Sequence, residues 1–425
     1  MTSISVDRER IRELFDLRQQ VGNEGYDDLP EDPYPAFHEL RSSGPVHPGT
    51  PHELLGIDRE FGFHGLPEAD RVHFSVFSWA ECAAIYRNET VFRSAPRGAE
   101  LITVDAHTSM RDAILKASML VMNGPPHRRY RALVQPSFTP ARATWWIDHW
   151  IDETVQSLID GFAPEGRADL NVELAALVPV ATITSSFGLS LDQALEVRSS
   201  LMGMGGRNLV ELLHPIIAAR REAPEDDLIS VLCQAELTDD DGTTVRLNDT
   251  EILAFSFLLL TAGSGTTWKQ MGTTLTALLT TPGALDALRT DRSLVKGAVE
   301  ESLRWEPTDP MFSRWVAEDT ELAGVKIPAE SVVHIVLGAA NRDPARWEHP
   351  DKYDVHRKLQ QSFAFGNGPH ICLGMHVARA EMVTAINALL DRLPNLRLDP
   401  DAEPPSIIGL YERGPSHVPA MWDPA

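Results

Sequence analysis

The amino-acid sequence predicts a mainly α-helical fold with a small β-sheet region. Apolar residues recur at helix spacing along most of the chain, whereas strand-like stretches are few, short and bounded by Gly or Pro. One helix candidate of some thirty residues is ~45 Å long, enough to cross a domain of this size. We expect residues 1–425 to form a single domain around this helix.

Six further segments have the apolar periodicity of helices. They are Ala80 to Arg87, Thr144 to Phe162, Asn171 to Phe187, Gln193 to Arg221, Asp227 to Glu236 and Gly374 to Leu393. The β candidates are Glu321 to Pro328, Ser331 to Leu337 and the tail around Ile407 to Val418.

The composition is that of an ordinary globular protein, with 43% hydrophobic and 23% charged residues. Lys and Arg number 38 and Asp and Glu number 61, and the net charge of −23 argues against nucleic acid or an anionic membrane as a general partner. The longest apolar run, Ile252 to Ala262, falls short of the ~18 residues of a membrane span, and the polar N-terminus has no signal-peptide core.

The cysteines give no sign of cross-linking. Cys82, Cys233 and Cys372 are odd in number, widely separated and free of any C-x-x-C pair, so neither a disulfide framework nor a zinc ribbon is indicated. We therefore expect a reducing, cytoplasmic location.

The long helix has clear boundaries and an unusual centre. Asn248 or Asp249 can cap its start with Glu251 close behind, and Pro282 and Gly283 end it. Halfway along lies TAGSGTT, Thr261 to Thr267, in which two glycines weaken the helix by ~1 kcal/mol each relative to alanine.

Two interpretations of this centre are open. Gly263 and Gly265 can let a flat group approach the backbone, while the hydroxyls of Thr266 and Thr267 bond to carbonyls one turn back. Alternatively, the glycines serve close packing between helices.

Two later motifs add to this pattern. In VEESLRWEP, Glu301 and Arg304 share one helix face, a spacing that often marks only a surface ion pair. In FAFGNGPHICLG, Cys372 comes just before a helix, whose N-terminal amides and dipole favour a negatively charged sulfur. A structural buried cysteine is the usual alternative for a lone thiol; a zinc site with His370 and His376 lacks a further pair of ligands.

Five features follow one another along the chain: the glycine-broken helix, the E-x-x-R helix, the turn at Asn341 to Pro344, YDVHR at Tyr353 to Arg357 and the cysteine stretch. Together they resemble the cytochrome P-450 superfamily of haem-thiolate monooxygenases along nearly the whole chain. The cysteine stretch fits the family pattern F-x-x-G-x-[H/R]-x-C-x-G at Phe365, Gly368, His370, Cys372 and Gly374.

The resemblance implies haem b as cofactor and Cys372 as its axial ligand. Phe365 is then expected to shield the sulfur, Gly368 to permit a conformation closed to other residues, and Gly374 to leave room for the macrocycle. The residues implied as further haem contacts are Ala262 on the long helix and, for the propionates, His127, Arg131, Arg314 and His370.

Other implied roles lie outside the haem contacts. Glu301, Arg304 and Arg357 match a buried cluster that supports the cysteine loop. Arg128 and Arg129 are candidates for a basic docking patch for an acidic ferredoxin, or equally for solvated surface charges.

One position departs from the family. The central helix usually reads A-G-x-[D/E]-T-T, whereas Gly265 stands here in place of the acid. The resemblance implies that Thr266 positions water for proton delivery, so protons would come through Ser264, through water in the space at Gly265, or from a hydroxyl of the substrate. Alternatively, the missing acid favours the use of peroxide, or an oxidation other than hydroxylation.

The implied activity is insertion of one oxygen atom from O2 into a hydrophobic small molecule, with electrons from NAD(P)H through a separate ferredoxin and its reductase. A peroxide-using or coupling enzyme and a haem-binding sensor or carrier without turnover are the alternatives. By family position the pocket walls are residues 100–120, 201–208, 259–266, 308–312 and 407–410. Their apolar members suit a terpenoid, steroid, fatty or aromatic skeleton, and Asp309 or Arg207 can bind a polar end; the apolar members are Met119, Leu120, Leu259, Met311, Phe312, Ile407 and Ile408.

Overall fold

Helices dominate the structure, a computed structural model that describes residues 7–19, 30–57, 71–95, 118–202, 209–238, 242 and 244–423. This confirms the predicted mainly α-helical class. The α-helices of these residues are α1 (Arg8–Leu14), α2 (Tyr34–Ser43), α3 (Pro51–Leu54), α4 (Trp79–Arg87), α5 (Gly124–Val134), α6 (Pro140–Trp146), α7 (Asp152–Phe162), α8 (Leu177–Ser185), α9 (Leu191–Leu201), α10 (Leu209–Glu222), α11 (Leu228–Gln234), α12 (Asp249–Thr280), α13 (Ala284–Thr290), α14 (Leu294–Trp305), α15 (Leu337–Asn341) and α16 (Met375–Arg392).

The strands are short and form small sheets. They are β1 (Val46–Pro48), β2 (His73–Val76), β3 (Phe92–Arg93), β4 (Arg167–Asp169), β5 (Glu236–Thr238), β6 (Thr244–Arg246), β7 (Phe312–Val316), β8 (Thr320–Leu322), β9 (Val325–Ile327), β10 (Val332–Ile335), β11 (Arg397–Leu398), β12 (Ile407–Ile408), β13 (Gly414–Pro415) and β14 (Pro419–Met421). The largest sheet has the order β1-β2-β10-β7-β3, in which only β2 and β10 run parallel.

The largest sheet determines the position of one predicted site residue. Arg314 lies in the middle of β7, opposite Val333 of β10. The opposite side chain and the hydrogen bonds of two neighbouring strands therefore restrict where the Arg314 guanidinium can reach.

The long helix α12 forms as predicted and is capped by Asn248. The Asn248 amide donates to Glu251 Oε2 at 2.8 Å, and the Glu251 amide donates to Asn248 Oδ1 at 3.0 Å. These reciprocal bonds satisfy two of the amides that a helix start leaves without partners. Most of the helix is buried, and it packs against α8, α14 and β13.

Three predicted elements have different boundaries. The helix predicted from Gln193 to Arg221 is two helices, α9 and α10, separated by a sequence with three glycines that each weaken a helix. The strand predicted from Glu321 to Pro328 is the hairpin β8–β9. The tail from Ile407 to Val418 contains only the two-residue strands β12 and β13.

None of the helices among the described residues combines the length and the hydropathy that a bilayer-spanning segment requires.

Candidate active site

The loop before α16 holds Cys372 by backbone hydrogen bonds. The Cys372 amide donates to the Phe365 carbonyl at 2.9 Å, and the Gly366 amide donates to the Phe363 carbonyl at 2.8 Å. Gly368 has φ 75°, and a Cβ there would stand 2.7 Å from the carbonyl oxygen of Tyr86. Only glycine tolerates both the conformation and this approach, as the sequence predicted.

The Cys372 sulfur accepts a hydrogen bond from the Gly374 amide at the start of α16. Burial raises the pKa of the thiol, while this bond and the charge of Arg131 act to lower it. Cys372 nevertheless has an exposed surface. Because Cys372 is surrounded by protein and still has accessible surface, it lines an interior space.

The other two cysteines differ from Cys372 in their exposure and in the hydrogen bonds of their sulfur atoms. Cys82 and Cys233 are buried, and their thiols donate to the carbonyls of Val76 at 3.6 Å and Ile217 at 3.8 Å. Burial raises the pKa of each of these thiols. Only the Cys372 sulfur is accessible to a ligand.

Four predicted propionate contacts form a cluster of two histidines and two arginines. His127 and Arg131 lie one turn apart on α5, His370 belongs to the turn before Cys372, and Arg314 comes from β7. The rings of His127 and His370 stack with centroids 3.8 Å apart. The structure thus brings together side chains from three separate parts of the chain.

Burial dominates the electrostatics of this cluster. It lowers the pKa of His127 to about 4 and that of His370 to about 3, and the neighbouring cationic side chains lower them further. Burial also lowers the pKa of Arg131 and of Arg314. Within the described chain no carboxylate pairs with either guanidinium, and the buried Nδ1 of His127 has no hydrogen-bond partner. A dianionic group bound here would supply the missing acceptors, so these residues fit the two propionates of a haem.

The centre of α12 presents an accessible face inside the molecule. Thr261 and Ala262 are exposed, although Leu260 before them and Ser264 after them are buried. A Cβ added to Gly265 would meet no atom within 4 Å. The Thr266 hydroxyl donates to the Ala262 carbonyl at 3.2 Å, as the sequence predicted.

The two glycines of this stretch have different explanations. A Cβ on Gly263 would lie 2.8 Å from the Cγ1 atom of Ile183 on α8, so this glycine serves close helix packing. Only Gly265 leaves open space beside the helix. The approach of a flat group, predicted at both positions, is therefore wrong for Gly263.

Ser264 does not belong to the accessible face. Its hydroxyl is buried and donates to the Leu260 carbonyl at 2.7 Å. Two residues turn a helix by about 200°, so Ser264 lies on the side opposite Ala262. The predicted proton route through Ser264 is not supported by this placement.

The residues predicted to line the pocket differ in how far they are exposed. Met119, Leu259 and Met311 are buried among other apolar side chains, Leu120 is exposed, and Phe312, Ile407 and Ile408 are half-buried. Met311 packs with Tyr34 and Leu410 at 0% exposure, so it lines no open space. Arg207 and most of the predicted walls 100–120 and 201–208 lie outside the described residues.

Asp309 has a different environment from these apolar residues. Its carboxyl is enclosed by protein, and burial raises its pKa to about 7, with Glu412 raising it further. Oδ1 has no hydrogen-bond partner. The sequence motifs did not reveal that Glu412 and Lys269 lie beside it; the only sequence signal was a lysine within a largely apolar helix.

Glu301 joins the chain segments beneath the cysteine loop. Its carboxylate accepts two bonds from Arg304 and one from Arg357, each at 2.8 Å, and one from the Asp354 amide at 3.1 Å. Arg304 also donates to the carbonyls of Asn341, Pro350 and Lys352. The cluster predicted from E-x-x-R and YDVHR is present and buried.

The zinc alternative finds no further ligands. Within the described chain no group of three or more His, Cys, Asp and Glu side chains is placed to hold a metal ion. A single accessible thiol facing an interior space instead matches the one-sulfur ligation of haem iron.

Comparison with known proteins identifies the family of this chain. The sequence model of the cytochrome P450 family matches residues 207–410. The chain is 32% identical over 391 residues to the cytochrome P450 monooxygenase PikC of Streptomyces venezuelae, covering 88% of this chain and 86% of that protein. It is 34% identical to the mycinamicin IV hydroxylase/epoxidase of Micromonospora griseorubida, covering 73% and 81%.

A solved structure shows the same fold. Cytochrome P450 CYP109Q5 from Chondromyces apiculatus superposes with a TM-score of 0.77 at 29% identity, covering 93% of this chain and 96% of that one. The fold and the site define a haem-thiolate protein. This chain belongs to the cytochrome P450 family, its activity is that of a monooxygenase, and its cofactor is haem b.

Gly368 and Gly374 should respond differently to substitution by alanine. Gly368→Ala forces a strained φ and a backbone clash, and we expect it to cost about 1–3 kcal/mol of unfolding free energy. Gly374 has φ −80°, and a Cβ there would meet no atom within 4 Å, so we expect Gly374→Ala to cost at most about 1 kcal/mol while weakening haem retention. Urea unfolding and haem transfer to apomyoglobin measure the two effects. Equal loss of stability in both variants would contradict the assignment.

Proposed function

We propose that this monooxygenase inserts one oxygen atom from O2 into a hydrophobic small molecule of terpenoid, steroid, fatty or aromatic type, and that a ferredoxin with its reductase delivers electrons from NAD(P)H. The observation that carries the proposal is the accessible Cys372 sulfur, which faces an interior space while the other two thiols are buried. The mycinamicin relative, named a hydroxylase/epoxidase, supports oxygen insertion.

The residues of this chain divide the work of binding the haem. Cys372 would hold the iron, and the Gly374 amide would stabilise its negative sulfur. His127, Arg131, Arg314 and His370 would bind the propionates. When bound, the haem supplies the iron at which O2 is activated.

We infer that Thr266 organises the protons of the reaction. Its hydroxyl lies one turn from Ala262 on the accessible face of α12, and Gly265 beside it leaves room for water. We infer that water held by Thr266 in this room takes over part of the role of the missing carboxylate.

Arg128 supports the electron-donor part of the proposal. It is on α5, the helix that also carries Arg131, and its side chain is 60% exposed with Glu89 as a loose partner at 3.7 Å. An acidic ferredoxin could displace so weak a pair. We also propose a reducing, cytoplasmic location, because all three cysteines are free thiols.

Screening tests the whole proposal. A library of terpenoids, steroids, fatty acids and aromatic compounds is added to the ferric holoenzyme, and the low-to-high-spin shift of its absorption spectrum is recorded. Compounds that shift the spectrum are then incubated with NADH, ferredoxin and reductase. Oxygenated product from at least one compound is the expected result; binding without product under any electron supply would contradict it.

Thr266→Ala is expected to uncouple NADH oxidation from product formation. Loss of the hydroxyl frees the water, so we expect product per NADH to fall about tenfold or more while hydrogen peroxide accumulates. Ser264→Ala is the matched control, because its hydroxyl is buried on the opposite face, and coupling should stay near the wild-type value. Product, NADH and peroxide are quantified in one assay, with a solvent isotope effect on the wild type.

Unchanged coupling in Thr266→Ala would assign proton delivery elsewhere, most directly to a hydroxyl of the substrate. Gly265 also favours a second candidate activity, the use of peroxide in place of O2 and NADH. That activity would appear as product formation with hydrogen peroxide alone, at a rate that Thr266→Ala leaves unaltered.

A further inference from the structure

The hydroxyl of Tyr86 is a buried donor without an acceptor. Tyr86 lies near the end of α4 and is 6% exposed, and its hydroxyl has no hydrogen-bond partner within the described chain. Other buried tyrosines do have one. The Tyr34 hydroxyl donates to Glu306 at 2.8 Å, and the Tyr353 hydroxyl donates to the Ala298 carbonyl at 3.0 Å. Because buried polar groups are normally bonded, the position of the Tyr86 hydroxyl indicates an acceptor from outside the chain.

Tyr86 lies against the loop that carries Cys372. A Cβ added to Gly366 would lie 4.0 Å from the Tyr86 hydroxyl oxygen, and one added to Gly368 would lie 2.7 Å from the Tyr86 carbonyl oxygen. The Tyr86 ring also packs on the ring of Phe363, which precedes both glycines, with centroids 5.1 Å apart. Three contacts with one loop therefore hold the phenol beside the segment that supplies the haem ligand.

Tyr86 shares a cavity with two of the predicted propionate contacts. Among the residues that line this cavity are Tyr86, Arg314 and His370, with Asn367 and Pro369 from the cysteine loop. The guanidinium carbon of Arg314 lies 5.9 Å from the centroid of the Tyr86 ring. An anion that Arg314 binds in this cavity therefore has Tyr86 as a neighbour.

The phenol differs from the histidines of the cluster in how it responds to pH. Burial raises the pKa of Tyr86 while Arg314 lowers it, and the net increase keeps the hydroxyl protonated and able to donate. Burial lowers the pKa of His127 to about 4 and that of His370 to about 3, so each neutral ring has only one N–H to donate. Tyr86 thus adds a donor that needs no protonation.

We propose that the Tyr86 phenol donates a hydrogen bond to a haem propionate beside Arg314, which makes it a fifth side chain that positions the haem. This inference rests on the propionate placement of the proposed function and extends it to a residue on α4. A hydrogen bond to a carboxylate is stronger than one between neutral groups, and burial strengthens it further. Packing against Phe363 holds the donor in position before the haem binds.

Tyr86→Phe removes the donor and keeps the ring. The packing on Phe363 can persist and the lost oxygen has no partner in the described chain, so we expect the variant to fold and to bind haem. Resonance Raman spectra of the ferric holoenzyme report the propionate bending modes, whose frequency rises with hydrogen bonding to the carboxylate. We expect one propionate band to shift to lower frequency. Haem transfer to apomyoglobin should become about tenfold faster, a difference of about 1.4 kcal/mol.

Two variants serve as controls. Tyr34→Phe also removes a buried tyrosine hydroxyl, but one that donates to Glu306, so we expect unshifted propionate bands and haem transfer within about twofold of wild type. Arg314→Met removes a guanidinium of the propionate site itself and keeps an unbranched side chain. It should shift a propionate band and speed haem transfer, whether or not Tyr86 takes part.

Each outcome decides the inference. Unshifted bands in Tyr86→Phe beside a shifted band in Arg314→Met overturn it and leave the propionate placement of the proposed function intact. Faster haem transfer from Tyr86→Phe without a band shift also overturns it, because Tyr86 would then support the haem by packing alone. An equal band shift in Tyr34→Phe would make the effect unspecific and overturn it as well. Unshifted bands in both Tyr86→Phe and Arg314→Met would contradict the propionate placement, and the inference with it.

Discussion

Cys372→Ser should abolish the thiolate-type absorption band of the ferrous–CO complex. Cys372 is the only exposed cysteine, and its sulfur already accepts a hydrogen bond from the Gly374 amide, which stabilises a thiolate. Serine retains the size of the side chain but binds iron poorly. We expect complete loss of the band, measured on dithionite-reduced protein under CO, with haem content determined in parallel.

The matched controls are Cys82→Ser and Cys233→Ser. Both thiols are buried and donate to backbone carbonyls, an interaction that a serine hydroxyl can also make. We expect both variants to keep the thiolate-type band. Retention of that band in Cys372→Ser would show that another group binds the iron.

The chemistry of the site was more predictable than its surroundings. The positive φ of Gly368 and the backbone bonds that hold Cys372 are local, because a few neighbouring residues determine them, whereas the close approach of the Tyr86 carbonyl to Gly368 is a long-range contact. The side chains of His127, Arg131, Arg314 and His370 were found only through resemblance to a known family. Their clustering depends on contacts between segments far apart in sequence, which periodicity does not reveal.

Other features were predicted wrongly or missed because they depend on contacts between segments that are far apart in the sequence. Gly263 and Gly265 are two residues apart in one helix, yet only Gly263 meets the side chain of Ile183 from another helix. The pairing of Lys269 with Glu412 spans 143 residues. Strands such as β1 and β3, of three and two residues, are too short to show alternation and form only because β2 and β7 offer them partners.

Glu301 is the residue whose loss should damage the fold most. Its side chain is 3% exposed and compensates two guanidiniums, those of Arg304 and Arg357. Removing one partner of a buried ion pair leaves an uncompensated charge, which typically costs about 3–5 kcal/mol. Arg304 also donates to the carbonyls of Asn341, Pro350 and Lys352, so its displacement would disturb the segment leading to the cysteine loop.

Glu301→Ala is therefore expected to lose about 3–5 kcal/mol of unfolding free energy and to be recovered largely without haem. Glu300→Ala provides the matched control in the preceding position. Glu300 pairs with Arg379, but the two side chains are 29% and 32% exposed, and such a pair contributes at most about 1 kcal/mol. Urea unfolding and the ratio of haem to protein are measured for both variants. A folded, haem-loaded Glu301→Ala protein whose only defect is slower turnover would give Glu301 a role in the reaction, because a purely supporting residue acts on stability and haem binding before it acts on the rate.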